Sequence, residues 1–299
     1  MKTLCFGSLN IDNVYTVPHF VVRGETLAAD QLNIFSGGKG LNQSIALSRA
    51  GLEVYHAGAI GSDGAFLLRE LQEAGVDTRF VRVLPDVRTG HAIIQKDEDG
   101  DNCILLNGGA NRKITREQID ETLSHFSRGD LLVLQNEISE LAYLIGQAKK
   151  AGLLTVLNPS PMDKTLLPLI AQVGAIILNE HEAAQFLQTE TPDEPEKMAR
   201  ELIRRYPELT VILTTGKDGS FYAKGPELIR QKAFSVRAVD TTGAGDTFTG
   251  YFFAGLMNGM APEKAMEYAS AASAIAVTRM GAAPSIPVKE EVIRFLEEN

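Results

Sequence analysis

Two short segments of this chain combine glycine with a charged side chain in a pattern suited to anion chemistry. In "TTGAGDTF", Gly243, Ala244 and Gly245 stand directly before Asp246, and Phe248, Tyr251, Phe252 and Leu256 follow at helical spacing. The spacing predicts a helix that opens at Gly243–Asp246. Small residues there let an anion reach free backbone N–H groups, and the peptide dipoles favour negative charge. The same residues also suit a tight turn into a packed helix, with Asp246 as a simple cap; the segment alone leaves both readings open. It is not a Walker A motif, since no Gly-Lys-Ser/Thr follows, and it lacks the third glycine of the dinucleotide fingerprint.

The second segment is "SGGKGLNQS", Ser36–Ser44. Gly37, Gly38 and Gly40 allow positive φ or close backbone approach, and Lys39 and Asn42 could bond hydroxyl groups. Other candidates fail on spacing. "HEAAQ" at 181–185 starts like a zinc-protease helix but has Gln185 where a second histidine is needed. "DEDGD" at 97–101 lacks the glycine and glutamate of a calcium loop, having Asn102 and Gly108 in those places. It reads as a hairpin turn around Asp99 and Gly100.

The 299 residues carry a net charge of −9 with no basic stripe, which argues against a nucleic-acid partner. No apolar run nears the roughly 20 residues of a membrane helix, and "MKTLCFGSLNID" turns polar too early for a signal peptide. The expectation is a cytoplasmic protein with no membrane partner. Cys5 and Cys103 both fall in strand-like apolar runs and read as small buried side chains.

These candidates need elements to position them. After about residue 112, helical and apolar strand-like runs alternate through "TVILTTG", which implies a doubly wound, mostly parallel α/β sheet with helices on both faces. The Gly- and Ala-rich C-terminal third reads as two helices. The early strands that do not alternate with helices could form a small second sheet. In such a fold ligands bind at the carboxyl ends of the strands. Asn158, Asn179 and Thr214–Gly216 each follow an apolar strand, and Glu137 lies just past another, so all should converge on one edge.

Taken together, the motifs are far more specific than any one of them. "GSLNID", "GGKGLNQS", "NGGAN", "LNEHEA", "VDTTGAGDTFTG" and "AVTRMGAAPSIP", in this order along nearly the whole chain, resemble the PfkB carbohydrate kinases, nearest to their ribokinase-like members. The resemblance implies one ribokinase-like kinase domain over 1–299, with a small β-sheet lid from about 13–36 and 88–106. It implies transfer of the ATP γ-phosphoryl group to a sugar hydroxyl, with D-ribose as the expected acceptor and a nucleoside or fructose as the alternative. Leu41, Thr242 and Ser270 depart from common ribokinase-like residues and bear on the sugar. Gln43, where phosphosugar kinases of the superfamily usually have valine, argues against a phosphorylated acceptor.

By the same resemblance Asp246 is the base, kept ionised by the helix terminus, and the N–H groups of Gly243, Ala244 and Gly245 form the anion hole. Sugar recognition falls to Asn10, Asp12, Gly38, Lys39, Asn42 and Glu137. Asp12 could instead be a turn residue, and Glu137 could cap the helix starting near Ser139. ATP falls to Asn179, Thr214, Thr215, Gly216, Lys217, Asp218 and Gly219, with Ser270 near the adenine. Glu182 would organise Mg²⁺ and its waters, its alternative being a solvated helix face. A K⁺ site would use carbonyls of Asp240, Thr242, Ala276, Arg279 and Gly281, with side chains of Asp240 and Ser285. An exposed lid sheet could also pair two copies into a homodimer.

Overall fold

The computed structural model describes residues 1–98, 101–189 and 191–299. The expected turn at Asp99 and Gly100 lies outside the described residues. Strand β1 (Thr3–Phe6) runs directly into β2 (Asn10–Thr16) and β3 (Gln31–Gly37). Then come α1 (Lys39–Arg49), β4 (Val54–Gly61), α2 (Ala65–Glu73) and β5 (Asp77–Leu84), followed by β6 (Gly90–Lys96) and β7 (Asn102–Asn107). The second half brings α3 (Arg116–Leu123), β8 (Leu131–Gln135), α4 (Leu141–Ala151), β9 (Leu154–Asn158), β10 (Ala175–Asn179) and α5 (Glu180–Leu187). Helix α6 (Pro195–Arg205), β11 (Thr210–Thr214), β12 (Ser220–Lys224), β13 (Glu227–Gln231), α7 (Ala244–Met257), α8 (Pro262–Ala276) and α9 (Lys289–Glu298) complete the chain.

The large sheet has the order β13-β12-β11-β10-β9-β8-β1-β4-β5, and the small one β3-β2-β6-β7. From β5 across to β11 every pairing in the large sheet is parallel. Its strands alternate their side chains between two apolar layers, which is why they read as unbroken hydrophobic runs. Leu4, Phe6, Leu132 and Leu134 pack with Ile119, Leu144, Phe186 and Leu202 from α3 to α6. Cys5, Leu131 and Val133 face the opposite layer, with Leu41, Ile45, Phe252 and Tyr268 from α1, α7 and α8. The chain leaves β1 in opposite directions to reach β4 and β8, so the topological switch point lies beside β1, where doubly wound sheets bind ligands.

Three sequence readings need correction. The C-terminal third contains three helices, not two, because α9 supplies a further apolar stripe that buries Val292. The hairpin β12–β13 went unread; it adds two antiparallel strands, turning at Gly225 with φ 53°. Cys5 is buried but Cys103 is exposed, since β7 is an edge strand of a sheet whose face is not covered within the chain.

That small sheet carries Leu32, Ile34, Phe35, Ile93, Ile104, Leu105 and Leu106, all exposed. Cross-strand register puts Asp12 opposite both Phe35 and Ala92, on one face.

Helices α1 and α7 meet backbone to backbone. A side chain added at Gly250 would overlap Ala46 and stand 2.8 Å from the backbone nitrogen of Leu47. Gly250→Ala is therefore expected to cost about 1–3 kcal/mol of unfolding free energy, read from urea denaturation. An unchanged midpoint would show that the two helices can separate freely.

Candidate active site

The N-terminus of α7 opens at Gly243, whose φ of 74° is in the left-handed region that favours glycine. A Cβ built on Gly245 meets nothing within 4 Å, so its backbone stands open to an approaching group. Asp246, one turn in, is 8% exposed. Its two oxygens are held by adjacent residues of α1: Asn42 Nδ2 donates to Oδ2 at 2.9 Å and Gln43 Nε2 to Oδ1 at 2.8 Å.

Helix α1 reaches that position because the GGKG turn packs directly on the loop after β1. Gly38 adopts φ 95°, and a Cβ there would stand 2.8 Å from the Ser8 carbonyl oxygen. At Gly40 a Cβ would stand 2.6 Å from the Gly7 carbonyl carbon. Leu41 N donates to Ser8 O at 3.0 Å, closing the turn onto β1.

Glu137 does not cap the helix that follows it; it accepts instead from the backbone N–H of Lys39, the first residue of α1, at 3.4 Å. It lies past β8, accepts from the Ser8 hydroxyl, and stands 4.0 Å from Lys39 Nζ. Asp12 is a strand residue of β2, not a turn residue, and its carboxylate lies against Gly37. Asn10, at the root of the small sheet, accepts from Asn111 Nδ2 at 2.8 Å. Asn111 also bridges the amide and carbonyl of Leu9, which fixes the strand where it leaves the large sheet.

A cleft is lined by Lys39, Asn158, Ser160, Ile177, Leu178, Asn179, Glu182, Thr214, Gly243, Gly245 and Asp246. It joins the carboxyl ends of β9, β10 and β11 to the start of α7. Asn179 and Glu182 form a reciprocal capping box at the start of α5, with bonds of 2.9 and 3.0 Å. Glu182 is thus tied to its helix terminus rather than lying on a solvated face. Thr215, Gly216, Lys217, Asp218 and Gly219 form the loop beyond β11, closed by Thr215 N to Gly219 O at 2.8 Å. Neither this loop nor Ser270, on α8, is among the cleft's lining residues. Ala244 is also not among them; its N–H donates to Thr241 O at 3.3 Å.

The charges in this site act on one another. Burial pulls the Lys39 ammonium down, but Asp246, Glu137, Glu182 and Asp12 together hold it above its ordinary range. Burial pushes the Asp246 carboxyl up, Lys39 and the two amides pull it back, and the net shift is upward. The helix terminus alone therefore does not keep Asp246 ionised, and the raised value makes it a stronger base than a surface carboxylate.

Of the expected cation ligands, Asp240, Thr242 and Gly281 come together. Asp240 Oδ1 accepts from the Thr242 amide at 3.0 Å and hydroxyl at 2.7 Å, and Oδ2 accepts from Gly281 N at 2.9 Å. Burial opposes its ionisation, yet these donors hold its carboxyl below the ordinary range. The Ala276 carbonyl accepts from Arg279 N, and Ser285 Oγ donates to Ala282 O at 2.7 Å. The Arg279 side chain pairs with Glu291. Among the described residues no group of three or more His, Cys, Asp or Glu could hold a metal ion.

Sequence reasoning missed Ser8, Asn111 and Gln135, and used Gln43 only to argue about the acceptor. Gln135 was findable: it ends an apolar strand at the same sheet edge as Asn158 and Asn179.

A doubly wound sheet, a second sheet rooted at its switch point, and a carboxylate beside an open glycine helix terminus make an α/β fold whose sheet-edge cleft is suited to an anion. The model of the pfkB family carbohydrate kinases matches residues 1–289. The chain is 36% identical to a ribokinase of Haemophilus influenzae over 99% of both chains. It superposes on a ribokinase from Thermotoga maritima with a TM-score of 0.89 at 32% identity, covering 99% of each chain. An Arabidopsis thaliana ribokinase complexed with ribose and ATP gives 0.89 at 28% identity, covering 99% of this chain and 98% of that one. The chain belongs to the pfkB family of carbohydrate kinases, and it is a phosphotransferase acting on a sugar hydroxyl. No helix among the described residues is long and apolar enough to cross a membrane.

Desolvation, with Glu137 adding and Lys39 opposing, pushes the Asp12 carboxyl from 3.8 up to about 6. A raised acid favours the neutral form: its stabilising contribution is complete below about pH 4 and lost as the pH rises through 6. Asp12 is partly exposed, which moderates the effect. Asp12→Asn should raise the thermal midpoint at pH 8 by roughly 2 °C and leave it unchanged at pH 4. Equal midpoints at both pH values would show that Asp12 ionises freely.

Proposed function

We propose that the protein transfers the γ-phosphoryl group of ATP to D-ribose, forming ribose 5-phosphate. The observation that carries this reading is the Asp246 carboxylate, held between Asn42 and Gln43 at the open N-terminus of α7. A sugar lying against Asn10, Asp12, Gly38, Lys39, Asn42 and Glu137 would present a hydroxyl to Asp246. Paired amides and carboxylates suit vicinal hydroxyls because they offer both donors and acceptors. The Gly243, Ala244 and Gly245 N–H groups and the helix dipole would meet the charge of the transferring group, with Ala244 contributing once its weak turn bond opens. Phosphoryl transfer asks little of its base until late, so aiming the nucleophile and matching charge dominate. The full-length likeness to ribokinases supports the choice of acceptor and of ATP.

ATP would lie along Asn179 and Thr214 and continue over Thr215–Gly219 toward Ser270. Magnesium, when bound, would neutralise phosphate oxygens; Glu182, with carboxylate capacity beyond its capping bond, fits a role in ordering the ion's waters. The low-lying Asp240 carboxylate and neighbouring carbonyls suit K⁺, with Thr242, Ala276, Arg279, Gly281 and Ser285 completing the shell. The exposed apolar side chains of the small sheet fit a homodimer formed through that sheet, and the setting we propose is the cytoplasm.

One feature favours a nucleoside acceptor as a second reading: Phe35 lies cross-strand from Asp12 and could face a base. An ADP-release screen against ribose, deoxyribose, fructose, 2-keto-3-deoxygluconate and several nucleosides separates these. Ribose should give the highest kcat/KM; a nucleoside ahead of ribose would favour the second reading. Asp246→Asn should lower kcat by about 10³-fold while calorimetry shows ATP still bound, and near-native turnover would remove Asp246 as base. Exchanging sodium for potassium should raise turnover, and equal rates would discard the cation site alone.

A further inference from the structure

The two oxygens of Asp246 are not held alike. Gln43 is fully buried, and so is Gln135 behind it. A carboxylate only accepts, so Gln43 must turn its Nε2 toward Asp246 and its Oε1 away. That Oε1 accepts from Gln135 Nε2 at 2.6 Å. Gln135 Nε2 also lies 3.6 Å from Cys5 Sγ, and its Oε1 packs against Gly7, where any Cβ would overlap it. Turning Gln43 alone would set acceptor against acceptor at Asp246 and donor against donor at Gln135. Gln135 Oε1 is itself buried with no hydrogen-bond partner, so the pair can turn only together, giving up the Cys5 contact.

Asn42 is different. Its Nδ2 donates to Oδ2, but its own Oδ1 is buried with no hydrogen-bond partner. A half-turn of this amide therefore sacrifices no bond on the far side. Turned, it offers an acceptor to a protonated Oδ2.

We propose that Gln43 and Gln135 form a positioning relay that clamps Oδ1 of Asp246, so that Oδ2, beside Asn42, is the atom that takes the acceptor's proton. This rests on the reading of Asp246 as base. In the step, the acceptor O–H bond breaks and its proton passes to Oδ2. The freed oxygen bonds to the γ-phosphorus, and the bond from that phosphorus to the β-phosphate oxygen breaks, its electrons leaving with ADP. The proton is later released from Oδ2 to water. Neither glutamine touches the reacting atoms; both fix the direction of the carboxylate.

The other groups acting on Asp246 are Lys39 at the start of α1, Glu137 past β8 and Cys5 on β1. Asp12 and Glu182 bear on it through Lys39. Substituting the neutral Gln43 leaves all of these in place, which isolates the relay, whereas Gln135 also touches Cys5.

Gln43→Met keeps the side chain's length but removes the donor. Losing one hydrogen bond to a charged group disfavours ionisation, so the acid limb of the kcat profile should move up by about one pH unit. We expect kcat near neutral pH to fall about tenfold, with KM for ATP and sugar within about twofold of the wild type's. Gln135→Met should shift the limb in the same direction by less, and it serves if Gln43→Met does not fold, as judged by thermal unfolding. Carbon-13 NMR titration of the Asp246 carboxyl in wild type and variants reads the same shift without turnover. It therefore decides the relay even if no acceptor is phosphorylated, a result that would instead defeat the ribose kinase reading. A crystal structure with sugar bound should place the acceptor hydroxyl about 3 Å from Oδ2. Unshifted titration in both variants, or a hydroxyl on Oδ1, would overturn the proposal.

Discussion

A carboxylate withdrawn from water must be given donors by the protein around it. Asp246 imposes that requirement, and much of the surrounding geometry follows. Its donors, Asn42 and Gln43, are consecutive residues of one helix, so α1 must lie against α7 closely enough for short amide side chains to span the gap. Only a glycine at the crossing permits this, and Gly250 is there. Helix α1 must also start low on the large sheet, and Gly38 and Gly40 let its first turn rest on the main chain of Gly7 and Ser8. The glycines of the two motifs thus do different work. Those of the GGKG segment allow backbone to touch backbone, while Gly245 keeps backbone open to whatever arrives.

The electrostatics follow from the same crowding. Lys39 is an ammonium among four carboxylates, in a protein whose overall charge is −9. An acidic protein can still receive an anion where the field is local: a lysine, a helix terminus and aimed N–H groups outweigh distant surface charge that salt screens within about 8 Å. Asp12 and Glu137 repel each other while Lys39 restrains both. This cluster is therefore under electrostatic tension that nearby hydroxyl donors would relieve.

The large sheet was readable from sequence because strands buried on both faces, such as Leu131–Gln135 and Ala175–Asn179, leave unbroken apolar runs between amphipathic helices. The polar residues at strand ends were readable for the same reason. Asn158 and Asn179 stand where an apolar run stops, and both line the cleft. What escaped was local signal too short or too ordinary to register. The hairpin Ser220–Gln231 has two five-residue strands, and α9 is a short charged helix with one fully buried side chain. The relay was invisible for another reason. Gln43, Gln135 and Asp246 are distant in sequence, and a single buried glutamine carries no pattern until the fold shows what it faces. The expectation that a helix terminus keeps Asp246 charged also underweighted burial, which a linear sequence does not display.

The separation of these partners along the chain has a consequence for biosynthesis. Asn42 and Gln43 lie 204 and 203 positions ahead of the carboxylate they hold. During translation α1 and the strands β1–β8 are synthesised long before Asp246. Until then the two amides lack the acceptor they hold in the complete fold. The site is therefore closed only by the packing of α7 on α1, which brings the carboxylate to amides made 204 and 203 residues earlier.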